Sequence, residues 1–275
     1  MALSVNTNVA SLTAQNNLAK SQSRMNTSLE RLSTGLKINR ASDDPAGLVT
    51  SELQKSQISG LNGAIENIER GSTLVQTAES GLGEINDLLL KIRDIAVTSA
   101  NTATQDTASL AANQAEVDAL ALSITRISDT TKFGTKALLD GTLAAAQFQI
   151  GAFSGQTAAL TVTDKDATAL AINALVVTTA AGASAALTSI DAAITTITTA
   201  RGALGAFQSG TLEATKSNNM SQLENLQHAE SILRDTDFQK EIATFTSEQI
   251  RQQAATTVLG MANQSSQSIL SLLRG

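Results

Sequence analysis

Leu61, Ile68, Val75, Leu82, Leu89 and Ala96 recur every seven residues, and Ala64, Gly71, Ala78, Ile85 and Ile92 form a companion column three residues after. Apolar residues in alternating steps of three and four, sustained over five heptad steps, describe one α-helix packed side-on along most of its length. The start of that helix is also written. In Ser42-Asp43-Asp44-Pro45, Asp44 suits the N-cap and Pro45 the first helical position, where its missing N–H costs nothing. The chain has no other Pro. A helix over about 45–99 is roughly 80 Å long at about 1.5 Å per residue, the dimension of a rod. Gly71 and the Ala positions admit a partner helix closely, while each Gly weakens the helix by about 1 kcal/mol relative to Ala.

Such a seam is filled from a narrow palette. Among 275 residues aromatics are 2%, all of them Phe, and Trp, Tyr and Cys are absent. Burial then comes from many small aliphatic contacts, which suits helix–helix seams better than an aromatic-anchored globule. Zero Cys excludes disulfide scaffolds, Cys-ligated zinc, iron–sulfur clusters and thiol nucleophiles. A net charge of −6 argues against a nucleic-acid binder, which normally presents a basic face.

A polar break at Asn101-Thr102-Ala103-Thr104, with Thr104 as a possible cap, precedes a second helix over about 104–130. Its columns are Leu110, Val117 and Ile124, and Leu120 and Ile127. In the Ala/Thr-rich middle, Gln147–Ile150 and Leu160–Thr163 alternate with period two, which predicts a β-hairpin within about 138–180. Helical periodicity returns over about 186–235 with Leu187, Ile190, Ile194, Ile197, Leu204, Leu223, Leu226 and Leu233. Asp235-Thr236-Asp237 breaks it before a last helix carrying Phe238, Ile242 and Phe245. The predicted fold is mainly α: a long antiparallel coiled-coil rod with a small central β-hairpin.

Both chain ends are amphipathic yet uncharged. Residues 1–19 carry no charged side chain and place Leu3, Val5, Val9 and Leu12 among Asn and Thr, with Leu18, Leu29, Leu32 and Leu36 following. Residues 252–273 are equally neutral; Val258 and Leu259 are followed by Ile269, Leu272 and Leu273, with Leu259, Ala262, Ser266, Ile269 and Leu273 at helical spacing. Neither end reads as a membrane span, because Gln, Asn, Ser or Thr interrupts every turn. The N-terminal residues lack the basic and apolar regions of a cleavable signal. Alone, such helices have too little core to offset their ordering entropy. Matched stripes at both ends point instead to burial against copies of the same chain. Residues 1–42 hold five cations against Glu30, net +4, on a body of −10. Such an asymmetry can steer subunit to subunit, but charge alone favours the plainer reading of a solvated helix face.

No catalytic, metal or cofactor constellation emerges. His228 is the sole His, and Ile232 stands where a zincin motif needs its second. No Gly-x-Ser-x-Gly elbow accompanies it. Gly81-Leu82-Gly83 is half a dinucleotide fingerprint inside a heptad column, hence helix packing. Asp43 and Asp44 are explained by capping and the helix dipole.

Specific motifs remain: Glu30-Arg31-Leu32-Ser33-Thr34-Gly35-Leu36-Lys37-Ile38-Asn39-Arg40-Ala41-Ser42-Asp43-Asp44-Pro45-Ala46-Gly47, then Gln76–Glu79 and Glu84–Asn86. At the other end stand Gln252-Gln253-Ala254-Ala255-Thr256-Thr257-Val258-Leu259 and Asn263-Gln264 to Ser271-Leu272-Leu273-Arg274, and in the middle Phe148-Gln149-Ile150-Gly151. Across nearly the whole chain the sequence resembles the bacterial flagellins. The resemblance implies a filament subunit in which residues 1–42 and 236–275 form the two halves of an inner coiled-coil core and 43–235 a rod domain. It implies a helical homopolymer of the chain with itself, secreted and extracellular. The implied partners are the flagellar type III export apparatus with its export chaperone, the filament cap and the hook–filament junction proteins. No nucleic acid, membrane insertion or cofactor is implied. Two departures stand out. The chain has room for almost no outer domain, and Leu90-Lys91 replaces the Gln-Arg pair of members detected by the vertebrate innate flagellin receptor. A hook–filament junction protein, which shares the end signatures, and a membrane-active amphipathic-helix protein are the competing expectations.

Overall fold

The computed structural model describes residues 8–101 and 103–274, with the side chains of 265–274 outside the described set. In order, the elements are α1 (Val9–Thr34), α2 (Pro45–Ala100), α3 (Thr107–Thr130), β1 (Lys132–Phe133), β2 (Lys136–Ala137), β3 (Ala146–Gln149), β4 (Thr157–Leu160), α4 (Ala180–Ala206), a π-helical segment (Phe207–Glu213), α5 (Ala214–Arg234) and α6 (Phe238–Arg274). The architecture is mainly α, with two small antiparallel strand pairs near the middle of the chain. Two compact units form: Gln57–Glu224, and Met1–Ser56 with Asn225–Gly275.

The first unit is built on the heptad columns of α2. Leu61, Ala64, Ile68, Val75, Ala78, Leu82, Ile85, Leu89, Ile92 and Ala96 are buried. Most of them pack with Val117, Ala121 and Ile124 of α3 and with Ala183, Ile190, Ile197 and Leu204 of α4 in one cluster. On α4 the large positions fall seven apart, with Ala186 and Ala193 between them, so neighbouring backbones approach closely. Burying each Leu or Ile contributes about 1.5–3 kcal/mol, and this three-helix seam is the main source of stability.

The β3–β4 hairpin lies on α2 at two glycines. A Cβ on Gly60 would come within 2.9 Å of Ala152 Cβ, and one on Gly71 within 3.1 Å of Phe148 Cδ1. Gly71 therefore admits a strand residue as well as the helical partner expected from the heptad pattern, since Leu212 of the π-helical segment lies 3.6 Å from the same position. Asn219 Nδ2 of α5 donates to Ile150 O at 2.7 Å, holding the hairpin from its other side.

Several boundaries differ from expectation for local reasons. The cap of α3 is Asp106, not Thr104: Asp106 Oδ1 accepts the Ser109 N–H at 2.7 Å and the Ser109 hydroxyl at 2.6 Å. After α3, β1 and β2 turn back through Gly134 in the left-handed region, a small hairpin not anticipated from the sequence. Strand β4 runs three residues earlier than the alternation at Leu160–Thr163, because Gln156 O accepts the Ile150 N–H and closes the loop at that point. Val162 leaves the ladder to donate to Leu143 O at 3.1 Å. Helix α4 begins at Ala180, where the Thr179 hydroxyl caps the Gly182 N–H; the Ala-rich first turns carry no apolar–polar contrast. The expected single helix to 235 is interrupted by the π-helical turn, one of the local widenings that α-helices tolerate.

Candidate assembly surface

In the unit formed by the chain ends, α1 and α6 run antiparallel along a heptad seam. From α1 it takes Ser11, Ala14, Leu18, Ser21, Met25, Ser28 and Leu32, in steps of three and four, with the serines and Ala14 buried. From α6 it takes Glu241, Phe245, Glu248, Gln252, Ala255, Leu259 and Ala262. Small and polar residues thus alternate with Leu, Met and Phe, and the polar ones face one another.

The polar pairing repeats with the heptad. Ser21 Oγ donates to Glu248 Oε2 at 2.8 Å, and Ser28 Oγ to Glu241 Oε1 at 2.5 Å. Arg24 and Arg251 lie 3.7 and 3.1 Å from Glu248, and Arg31 lies 3.8 Å from Glu241. Each carboxylate is thereby taken out of water with a hydroxyl donor and at least one guanidinium, which a buried charge requires. Gln22 and Gln252 bond across the same seam, and Ser11 Oγ donates to Asn263 Oδ1 at 2.8 Å.

The loop after α1 fixes the entry of both helices. Gly35 takes the left-handed C-cap and returns its N–H to Arg31 O. Lys37 N–H donates to Arg234 O at 2.6 Å and Thr236 N–H to Gly35 O at 2.9 Å, so Leu36 and Asp235 form an antiparallel bridge. Asp43 Oδ2 accepts the N–H groups of Arg40 and Asn39 at 3.0 and 3.1 Å, and these bonds hold its carboxyl below the ordinary range. Asp44 Oδ1 accepts the Gly47 N–H at 2.9 Å, and Pro45 opens α2.

The expected core residues divide into two faces. Leu18, Leu32, Phe245 and Leu259 line the α1–α6 seam, and Leu36 is half-buried at the bridge. Val9, Leu12, Leu29 and Val258 point away from it and are 64%, 54%, 56% and 52% exposed. Ile250 and Met261 share that outward exposure at 60% and 61%. Leu3 and Val5 lie outside the described residues, as do the side chains of Ile269, Leu272 and Leu273. Of the expected rod seam, Leu226 is half-buried and stands outside the cluster that holds Ile68, Val75, Leu82, Ile85, Leu89, Ile92, Val117, Ile124, Ile190, Ile197 and Leu204. The reason is positional: α5 leaves that unit after Glu224. Sequence inspection missed Ser11, Ser21, Ser28, Glu241 and Glu248, because polar residues at heptad spacing do not register as a hydrophobic stripe.

Among the described residues no three His, Asp or Glu side chains converge as metal ligands. His228 is exposed on α5. The stretch Ala180–Arg234 contains a window long and apolar enough to cross a membrane, with a mean hydropathy of 1.2. Its large buried residues Ile190, Ile197 and Leu204 pack in the core of the first unit, and the same helix carries Asp191 and Arg201, which pair with Arg93 and Glu79 of α2.

These features define a structural helical subunit: heptad seams, a polar ladder that sets register, and apolar helix faces left open at the chain ends. The family model for the bacterial flagellin N-terminal helical region matches residues 5–144, and that for the C-terminal helical region matches residues 187–273. The chain is 40% identical to a flagellin of Halalkalibacterium halodurans over 98% of its own length and 99% of the relative's. The crystal structure of Bacillus cereus flagellin is similar with a TM-score of 0.51 and 27% identity, over 60% of this chain and 94% of that one. A putative flagellar hook-associated protein from Vibrio parahaemolyticus shares the fold alone, with a TM-score of 0.61 at 16% identity over 70% of this chain and 99% of that one. The chain belongs to the bacterial flagellin family. It is a structural subunit that self-assembles into the flagellar filament of a swimming bacterium, and it is not an enzyme.

Proposed function

We propose that segments 1–42 and 236–275 act as one assembly core, with the outward faces of α1 and α6 packing against neighbouring copies, and that 43–235 is the rod domain. The observation that carries this is the exposure of Val9, Leu12, Leu29, Ile250, Val258 and Met261 on a pair of helices whose mutual seam is already filled. Contiguous exposed apolar surface marks an interaction site. Head-to-tail contacts between identical subunits that do not close on themselves generate an open helical filament. Residues 252–273 carry no Lys or Arg, so the end of α6 lacks the cationic polar face of a membrane-binding helix. Membership of the family supports secretion through the flagellar export apparatus with a chaperone, growth under a cap, and attachment through junction proteins at an extracellular location. Deleting residues 252–275 tests the assembly core. The truncated chain is expected to stay soluble and helical yet form no filaments, and normal filaments from it overturn the proposal.

A further inference from the structure

Lys165 is buried, 3% exposed, and makes no ion pair with any described residue. Its ammonium donates to Thr163 Oγ1 and, at 3.2 Å, to Asp164 O, which leaves one of its three donors unused. Asp164 is the one carboxylate whose charge acts on it, and burial holds the amine below the usual lysine range.

Lys165 lines a pocket of about 400 Å3 between the segment after β4 and the face of α4. The polar lining is biased toward donors. Thr161 Oγ1 accepts the Ala145 N–H and Thr163 Oγ1 accepts Lys165, so both keep a free hydroxyl proton. The Thr199 hydroxyl has no hydrogen-bond partner among the described residues, whereas Thr195 and Thr196 spend their protons on Asp191 O and Ala192 O. The rest of the wall is aliphatic and includes Ala203 and Leu204. No carboxylate lines the pocket.

We propose that this pocket is a binding site for a carboxylate on a short aliphatic stem, held by Lys165 and the hydroxyls of Thr161, Thr163 and Thr199. One oxyanion accepts the unused ammonium donor and the free hydroxyl protons, and the stem lies on Ala203 and Leu204. A buried ammonium with only neutral acceptors is costly, and an entering carboxylate removes that cost. Two sources carry this chemistry: an Asp or Glu side chain of a neighbouring copy, or a free short-chain carboxylate.

The test follows the Lys165 titration by NMR in full-length protein labelled with 13C-lysine. Lys165→Arg, which keeps the cation, identifies the resonance by its loss. The midpoint is measured in monomer with chloride, in monomer with acetate, and in assembled filament. An occupied pocket raises the proton affinity about tenfold, one pH unit, because a nearby opposite charge favours the charged amine. A rise with acetate identifies a free carboxylate, and a rise only in the filament identifies a neighbour's side chain. Either rise shrinks in Thr199→Val, while exposed Lys132 does not move. An unchanged Lys165 midpoint in both states overturns the proposal, as does a rise undiminished in Thr199→Val.

Discussion

Ser21 Oγ stands 2.8 Å from Glu248 Oε2 across the α1–α6 seam, and Ser28 repeats the relationship with Glu241 one heptad on. On α1 the motif is Ser-x-x-Arg, twice; on α6 it is a Glu at each matching turn, in reverse order. A slip of one heptad leaves a buried carboxylate opposite no serine. The seam therefore encodes antiparallel register in polar contacts more than in apolar area, as a polar residue at a core position does in other coiled coils.

Ser21→Ala removes a donor from a carboxylate that remains buried, and is expected to cost about 1–3 kcal/mol. Ser21→Ala with Glu248→Leu restores most of that loss, because exchanging a buried polar contact for an apolar one is often neutral. Calorimetry of the polymerised protein checks both. A single-mutant loss that persists undiminished in the double mutant contradicts the ladder as drawn.

Glycines on α2 separate by what lies over them. Gly71→Leu drives a side chain into Phe148, with a cost of about 1–3 kcal/mol for overpacking and a changed filament waveform or blocked assembly. Gly83 has open space around its Cβ position, so Gly83→Ala stabilises α2 by about 0.5–1 kcal/mol. Thermal melts of the monomer give the two signs, and dark-field microscopy gives the waveform. An unchanged waveform with an unchanged melt for Gly71→Leu removes the hairpin from contact with α2.

Large-to-small changes in the three-helix seam carry the largest stability effect. Ile197→Ala and Leu89→Ala are each expected to cost about 2–5 kcal/mol, since both side chains are fully buried. Leu122→Ala, at a 67% exposed position on α3, is expected to fall within about 0.5 kcal/mol of the parent. Denaturant unfolding separates these outcomes.

Much of the first unit was legible in the sequence because its buried faces are purely aliphatic. Leu61 to Ala96 on α2 and Ile190, Ile197 and Leu204 on α4 stand in contrast to Thr, Asn and charged neighbours, and a period of seven follows. The α1–α6 seam was half legible. Leu18, Leu32, Phe245 and Leu259 sit in it, whereas Val9, Leu12, Leu29 and Val258, equally apolar, face the other way. The polar partners Ser21, Ser28, Glu241 and Glu248 give no hydrophobic signal, and pairing across more than two hundred residues leaves no local trace. The π-helical turn at Phe207–Glu213 was illegible for a different reason. There Leu212 is buried and Gln208 reaches Ser72 of α2, long-range contacts that leave no local signal in the sequence. The start of α4 was missed because Ala180–Ala186 is helix-forming but featureless.

Acid is expected to loosen the start of α3. Asp106 is held below its ordinary range first by the Ser109 hydroxyl and then by the Ser109 N–H, so its ionised form is favoured in the fold. A carboxylate whose folded value is depressed contributes stability above its unfolded value near pH 4, and loses it as pH falls through the folded value. Asp106→Asn keeps a cap without the charge and removes this part of the pH dependence. Amide exchange at Ser109 and Leu110 between pH 2 and 5 reports it, and identical profiles for the two proteins contradict it.

Electron microscopy of the purified full-length chain, concentrated under polymerising salt, tests the central claim most directly when paired with a Leu12→Asp, Met261→Asp variant. The parent is expected to grow long helical filaments, and the variant, altered only on the outward faces of α1 and α6, to remain monomeric with its helical content intact. Short closed rings from the parent, or normal filaments from the variant, contradict an open filament assembled through those faces.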